Sequence, residues 1–193
     1  MFVYPIKKLN DLEKFKRYVK SHYSFKHYAL VIVGINVGLR IGDLVSLRWD
    51  ELLDNMDKLR ELYNIKEHKT NKHRKIFFNE NVRTVLYALR SLYPNDIYVF
   101  QSQSLYYYNH GPHPWSEEYP HKFITEAGRA LEFPFNVGTH TLRKTFAYHA
   151  IITRQFSLTE VQVLLCHSHP NITLRYLALD FDDLKKVYMN INL

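Results

Sequence analysis

The sequence predicts a mainly α-helical fold carrying one small antiparallel β-hairpin. Apolar residues recur at helical spacing over most of the chain, as in Leu12, Phe15, Tyr18 and Val19, or Val82, Val85, Leu86 and Leu89. The stretch from Tyr63 to Phe78 breaks that period and reads as two short strands around a polar, basic turn at about Thr70 to His73. Gly38, Pro94, Gly138 and Pro170 stand at the boundaries between these stretches.

Taken in order, Asn10-Asp11 is the expected cap of a first amphipathic helix. A second helix runs from about Ser24 to Val37, and its near-continuous apolar character predicts burial on most sides. Gly38 ends it, because glycine accepts the left-handed cap conformation. A third helix follows at once, with Leu44, Val45, Leu47 and Leu52 as its core stripe. After the hairpin, helix resumes from about Asn81 to Leu92. Gln101 to Trp115, rich in Tyr, Ser, His, Gly and Pro, is an expected surface loop, and Ser116 to Leu131 a further helix. The last third, from His140, divides into three helices separated near Ser157 and at Ser168-His169-Pro170. Asp180 to Met189, with Leu184, Val187 and Tyr188, is a candidate short amphipathic helix.

No internal repeat or low-complexity linker interrupts the 193 residues, so residues 1–193 are read as one domain. A hydrophobic fraction of 46% fits a folded globular chain and excludes a disordered one. The 26 Lys and Arg exceed the 19 Asp and Glu by 7, which suggests a polyanionic partner, nucleic acid first; charge alone decides little. Cys166 is the single cysteine, so no internal disulfide forms, which suits a reducing cytosol. The longest apolar stretch, Tyr28 to Val37, is broken by Gly34 and Asn36 and is too short to span a bilayer. The expected location is cytoplasmic.

Four local patterns bear chemistry. In GLRIGDLVSLRW (38–49), Arg40 and Asp43 are three apart on one helix face. Alone they make an ordinary surface ion pair; functionally, they make an arginine held by a carboxylate to grip phosphate oxygens. In THTLRKTFAYHA (139–150), His140 and Arg143 project together near a helix N-terminus, as a solvated face or an anion site. In LLCHSHPNITLRYLAL (164–179), His167 ends one helix and Tyr176 lies nine residues on; with 15 tyrosines in the chain, a core role for it is the plain alternative. In HKTNKHRK (68–75), a hairpin-tip lysine is either solvated or set against a DNA backbone.

Their joint order resembles the tyrosine recombinase (phage integrase) family, from about Asn36 to Tyr176. The carrying motifs are G-L-R-I-x-D-L, K-T-x-K-x-R, H-T-L-R-K-T-F and H-S-x-P-x-I-T-L-R-Y, and the short single-domain integrases of Gram-positive bacteria and their phages are the most similar. The resemblance implies the tyrosine recombinase catalytic-domain fold and a site-specific recombinase that cleaves and rejoins double-stranded DNA through a 3′-phosphotyrosyl bond. On it, Tyr176 is the nucleophile, Arg40 and Arg143 the arginine pair, and Asp43 the acid behind the first arginine. His140 and His167 are the two histidines, and Lys69 the hairpin lysine, preferred to Lys72 because it occupies the K-T position. Lys72, Arg74, Lys144 and Arg175 are expected to contact DNA.

The chemistry needs these types. A tyrosine hydroxyl, with a pKa of about 10, is a poor nucleophile at neutral pH. Two guanidiniums stabilise charge building on a phosphorane-like transition state and favour the phenolate. His140 accepts the phenolic proton or holds the phosphate, His167 bonds a non-bridging oxygen, and Lys69 protonates the 5′-oxygen that leaves. The ester energy is conserved, so neither ATP nor a metal cofactor is required. The resemblance implies a tetramer on DNA, and a monomer is expected in solution.

The chain departs from the family in three ways. Cys166 stands where glycine is common, and Lys144 where histidine is common. Only about 35 residues precede the first motif, so no separate N-terminal clamp domain is expected, and an accessory DNA-binding protein is one remedy. A regulatory DNA-binding protein on a recombinase scaffold is therefore the main rival; a type IB topoisomerase is a chemical cousin. His167-x-His169 and His110-x-x-His113 are isolated pairs, short of the three or so ligands a zinc site needs.

Overall fold

The most apolar segment of the chain, Phe25–Val37, forms α2, with Ala29, Leu30, Val31 and Val33 fully buried. The structure, a computed structural model, describes residues 2–69, 71–104, 110–181, 183, 185 and 189. Around α2 pack α1 (Leu9–His22), α5 (Glu80–Leu92) and α7 (Thr139–Tyr148), each turning an apolar stripe inward. The expected Asn10-Asp11 cap of α1 is displaced: Leu9 is already helical and Lys8 is the cap residue.

The third expected helix is two. α3 (Ile41–Val45) and α4 (Trp49–Leu52) are separated because the chain between them pairs sideways instead of coiling. Val99 N donates to Leu47 O at 2.8 Å, Trp49 N to Ile97 O at 3.0 Å, and the Ser46 hydroxyl bonds back to Gly42 O. These bonds satisfy backbone groups that a continuous helix would have used internally.

The hairpin is present with an earlier turn than expected: β1 (Leu62–Lys66) and β2 (His73–Phe77) pair antiparallel, Leu62 opposite Phe77 and Lys66 opposite His73, so His73 opens β2, and Thr70 lies outside the described residues. Tyr63, Ile65 and Ile76 face the core by strand alternation, and so does Glu67 just beyond β1. α6 (Glu118–Ala130) follows the loop region, beginning two residues later than expected. After α7 the helix widens into a π-turn at His149–Thr153, and α8 (Leu158–Leu164) and α9 (Pro170–Leu177) complete the chain to Ala178. Residues 181, 183, 185 and 189 are helical, whereas Leu184, Val187 and Tyr188 of the expected terminal helix lie outside the described residues. One large core unites α1 to α7, while Ala147, Val161 and Leu165 form a small separate cluster that Tyr176 packs against. The tyrosine-bearing end thus rests on a thin core, the kind of unit that opens at lower free energy than the main body.

His27 of α2 makes fold stability depend on pH. Its ring is buried among Trp115, Tyr119 and Phe123, with Nδ1 2.8 Å from the Ser24 hydroxyl and Nε2 3.1 Å from that of Tyr119. Burial first, then Lys26, lowers its pKa to about 4. Unfolded, it binds a proton below about pH 6.5; folded, it resists until about pH 4, so stability is lost as pH falls through that window. Urea denaturation should show a loss of roughly 2–3 kcal/mol between about pH 7 and 4.5, to which His167 adds in the same direction. The loss should shrink in His27→Gln; an unchanged loss would mean His27 is not responsible.

Candidate active site

The site is built on the C-terminal end of α2. Gly38, with φ of 64°, turns the chain out of the helix, and a side chain there would collide with the Phe146 ring. Helix ends leave carbonyls without partners. Here they are met by two guanidiniums from distant parts of the chain. Arg74 of β2 donates to Val37 O at 2.6 Å and Gly38 O at 3.2 Å, and Arg143 of α7 donates to Gly38 O at 2.7 Å. Arg40, two residues past the turn, caps α3.

Arg143 is 1% exposed. Its Nη2 donates to Leu165 O at 2.6 Å and faces His167 Nε2 at 3.4 Å, while its Nε–H, also buried, has no hydrogen-bond partner among the described residues. Burial lowers its pKa; Tyr176 opposes that shift, Arg40 adds to it, and Glu67 opposes it.

The carboxylate that holds the arginines is Glu67, not Asp43. Glu67 is fully buried, ion-paired with Arg40 and 4.0 Å from Arg143 Nη1. Asp43, expected behind Arg40, instead accepts from the His68 backbone N–H at 2.9 Å and lies 3.0 Å from His68 Nδ1. It therefore ties the hairpin tip to α3. Glu67 escaped the sequence reading although a signal existed: a charged residue continuing the inward face of Tyr63 and Ile65. Replacing Glu67 by Ala should destabilise the fold by about 3–5 kcal/mol, because buried guanidinium charge loses its partner. Thermal unfolding would register it, and a change of under about 1 kcal/mol would mean that the pair is solvated.

His167 lies beyond α8, in a turn where Cys166 has φ of 52°. That left-handed conformation favours glycine, which explains why glycine suits this position, and its cost for cysteine is about 1–2 kcal/mol. His167 is buried, with Nδ1 2.9 Å from the hydroxyl of Thr173, which is itself fully buried in α9. Burial, then Arg143 and Arg40, lowers its pKa to about 4. The Tyr176 ring meets His167 edge to face at 4.6 Å and lies 5.9 Å from the Arg143 guanidinium carbon. Arg40, Arg143, His167 and Tyr176 are thus gathered at one place.

His140 stands on the surface at the start of α7. Partial desolvation, then Lys144, Arg143, Lys69 and Arg40, lowers its pKa, which puts the hairpin Lys69 within electrostatic reach of this group. Lys69, Lys72 and Arg175 are exposed. Two of the expected DNA contacts are spent elsewhere. Arg74 is buried, capping α2 as described. Lys144 is also buried: its ammonium donates to Val3 O at 2.7 Å, sits 3.5 Å from the centre of the Phe2 ring, and lies 5.8 Å from that of Tyr176. Both side chains follow the inward side of their elements, which a basic motif cannot reveal. Among the described residues no group of three or more His, Cys, Asp and Glu is placed to hold a metal ion, and no helix is long and apolar enough to cross a membrane.

This architecture is the fold of tyrosine recombinase catalytic domains. The whole chain superimposes on 67% of crystalline XerA recombinase with a TM-score of 0.77 at 21% identity. It also matches, over 95% of its length, 51% of XerH site-specific recombinase bound to a palindromic difH substrate (TM-score 0.72, 21% identity). All of it matches 52% of a lambda integrase chain from a dimer bound to a COC′ core site (TM-score 0.70, 17% identity). Residues 7–183 match the phage integrase family, and the chain belongs to that family. It is 33% identical over 186 residues to the probable integrase/recombinase YoeC of Bacillus subtilis (strain 168), covering 96% of this chain and 95% of that one.

Proposed function

We propose that this chain is a site-specific recombinase that cleaves and rejoins double-stranded DNA through a 3′-phosphotyrosyl intermediate on Tyr176. The observation that carries the reading is the packing of Tyr176 on His167, 5.9 Å from Arg143, beside an arginine pair braced by one buried glutamate. In this reaction the Tyr176 oxygen bonds to phosphorus as the bond to the 5′-oxygen breaks. The phenolic proton passes to His140, whose lowered pKa keeps it neutral and receptive at pH 7. Arg40 and Arg143 stabilise the charge on the non-bridging oxygens, with the Arg143 Nε–H as an uncommitted donor. Lys69 protonates the departing 5′-oxygen, and attack by a 5′-hydroxyl of another strand reverses the sequence.

Lys69, Lys72 and Arg175 supply phosphate contacts from the surface. Phe156, Val163, Leu164, Leu174, Leu179 and Phe181 are exposed near the tyrosine-bearing end and suit contact between protomers, in keeping with a tetramer on DNA assembled from monomers. A DNA-binding accessory protein with little recombination activity is the second reading. The depth of Arg143, with both terminal nitrogens on protein acceptors, favours it, because phosphate must displace those contacts. Incubation with a nicked suicide substrate decides: a covalent adduct migrating with the DNA supports the recombinase, whereas DNA binding without any adduct overturns it.

A further inference from the structure

We infer that Thr173 is a positioning residue that sets which nitrogen of His167 carries the proton, letting that ring accept from Arg143 in one state and donate to a phosphate oxygen in another. The inference rests on the proposed reaction and deepens it. Thr173 lies on α9, six residues after His167 and three before Tyr176, and is fully buried. A helical threonine commonly turns its hydroxyl back to the carbonyl four residues earlier. Among the described residues, the Thr173 hydroxyl is instead paired with His167 Nδ1, at 2.9 Å.

The proton positions follow from what each group can do. A guanidinium nitrogen only donates, so Arg143 Nη2, 3.4 Å from His167 Nε2, requires Nε2 to accept. The proton of a neutral His167 then sits on Nδ1, and the Thr173 oxygen accepts it at 2.9 Å. A ring in that state has no N–H to offer a phosphate. To offer one while staying neutral, it must carry its proton on Nε2, and Nδ1 must then accept. A hydroxyl permits both states, because by rotating it changes from acceptor to donor. The ring gives up its Nδ1 proton to solvent and takes one from solvent at Nε2, with no change of net charge. A carboxylate in its place would accept only and would favour the imidazolium. The surrounding cations Arg143, Arg40 and Arg74 oppose that charge, and the low pKa of His167 agrees with a ring that works neutral.

The test has two arms. In wild-type protein labelled with 15N-histidine, the imidazole nitrogen shifts of His167 should report a proton on Nδ1. With Tyr176→Phe, which lacks the nucleophile, bound to the nicked substrate, they should report it on Nε2. A proton on Nε2 in the free protein, or no change on binding DNA, overturns the inference. In the second arm, Thr173→Val should slow adduct formation on the order of 10–100-fold, by analogy with the loss when the hydrogen-bond partner of a metal-bound imidazole is removed. DNA affinity should stay unchanged, and Thr173→Ser should restore the rate to within about threefold, since it keeps the hydroxyl. Equal rates for Val and Ser, whatever the stability of either, would sink it. Absence of an adduct with wild type would refute the proposed reaction instead, leaving the free-protein spectrum to judge Thr173.

Discussion

Tyr176→Phe is expected to abolish the covalent adduct on nicked DNA completely, while changing DNA affinity by less than about twofold, since phosphate contacts by basic residues dominate binding. The ring would keep its edge-to-face packing on His167 and its place against Ala147, Val161 and Leu165, so the fold has little to lose. Stability should therefore fall by no more than about 1 kcal/mol, the scale of the one hydrogen bond to Arg143 that the hydroxyl gives up. Denaturing gels of labelled suicide substrate, run beside binding titrations, separate the two effects. An adduct that survives in Tyr176→Phe would mean that another of the 15 tyrosines is the nucleophile.

The second large effect is expected at Arg143. Arg143→Ala should cut the cleavage rate by about 10²–10³-fold, the loss seen when a transition-state donor is removed. It should also unsettle the fold, because the buried carbonyl of Leu165 loses its donor and that of Gly38 keeps only Arg74, a loss of about 1–3 kcal/mol for each unmet acceptor. Arg143→Lys separates chemistry from folding. It retains the charge, yet a single ammonium cannot reproduce the planar fork that spans Gly38 O and Leu165 O. Adduct formation at the wild-type rate in folded Arg143→Lys would remove the guanidinium from the chemistry.

Much of this was legible in the residues themselves. The apolar run of Phe25–Val37 and its closing glycine announce a buried helix with a left-handed cap, and α2 with Gly38 at φ of 64° is that element. The hairpin was legible because the stretch from Tyr63 to Phe78 breaks the helical period around a polar, basic turn. The break between α3 and α4 was not, since it depends on pairing with residues 97–99, remote in sequence. Burial of Arg74 and Lys144 was equally hidden. A basic side chain reads as exposed unless its acceptor is known, and the acceptors here are backbone carbonyls of Val37, Gly38 and Val3.

What the sequence determined alone was which residue types stand in what order: two arginines, two histidines, a hairpin lysine and a tyrosine. Which groups brace them only the tertiary structure decided. Glu67 rather than Asp43 braces Arg40, Gly38 O and Leu165 O hold Arg143, and Thr173 meets His167. The reason is physical. Chain order and side-chain period are local properties, whereas a buried charge or lone pair takes whichever partner folding brings within about 3 Å, from any distance along the chain.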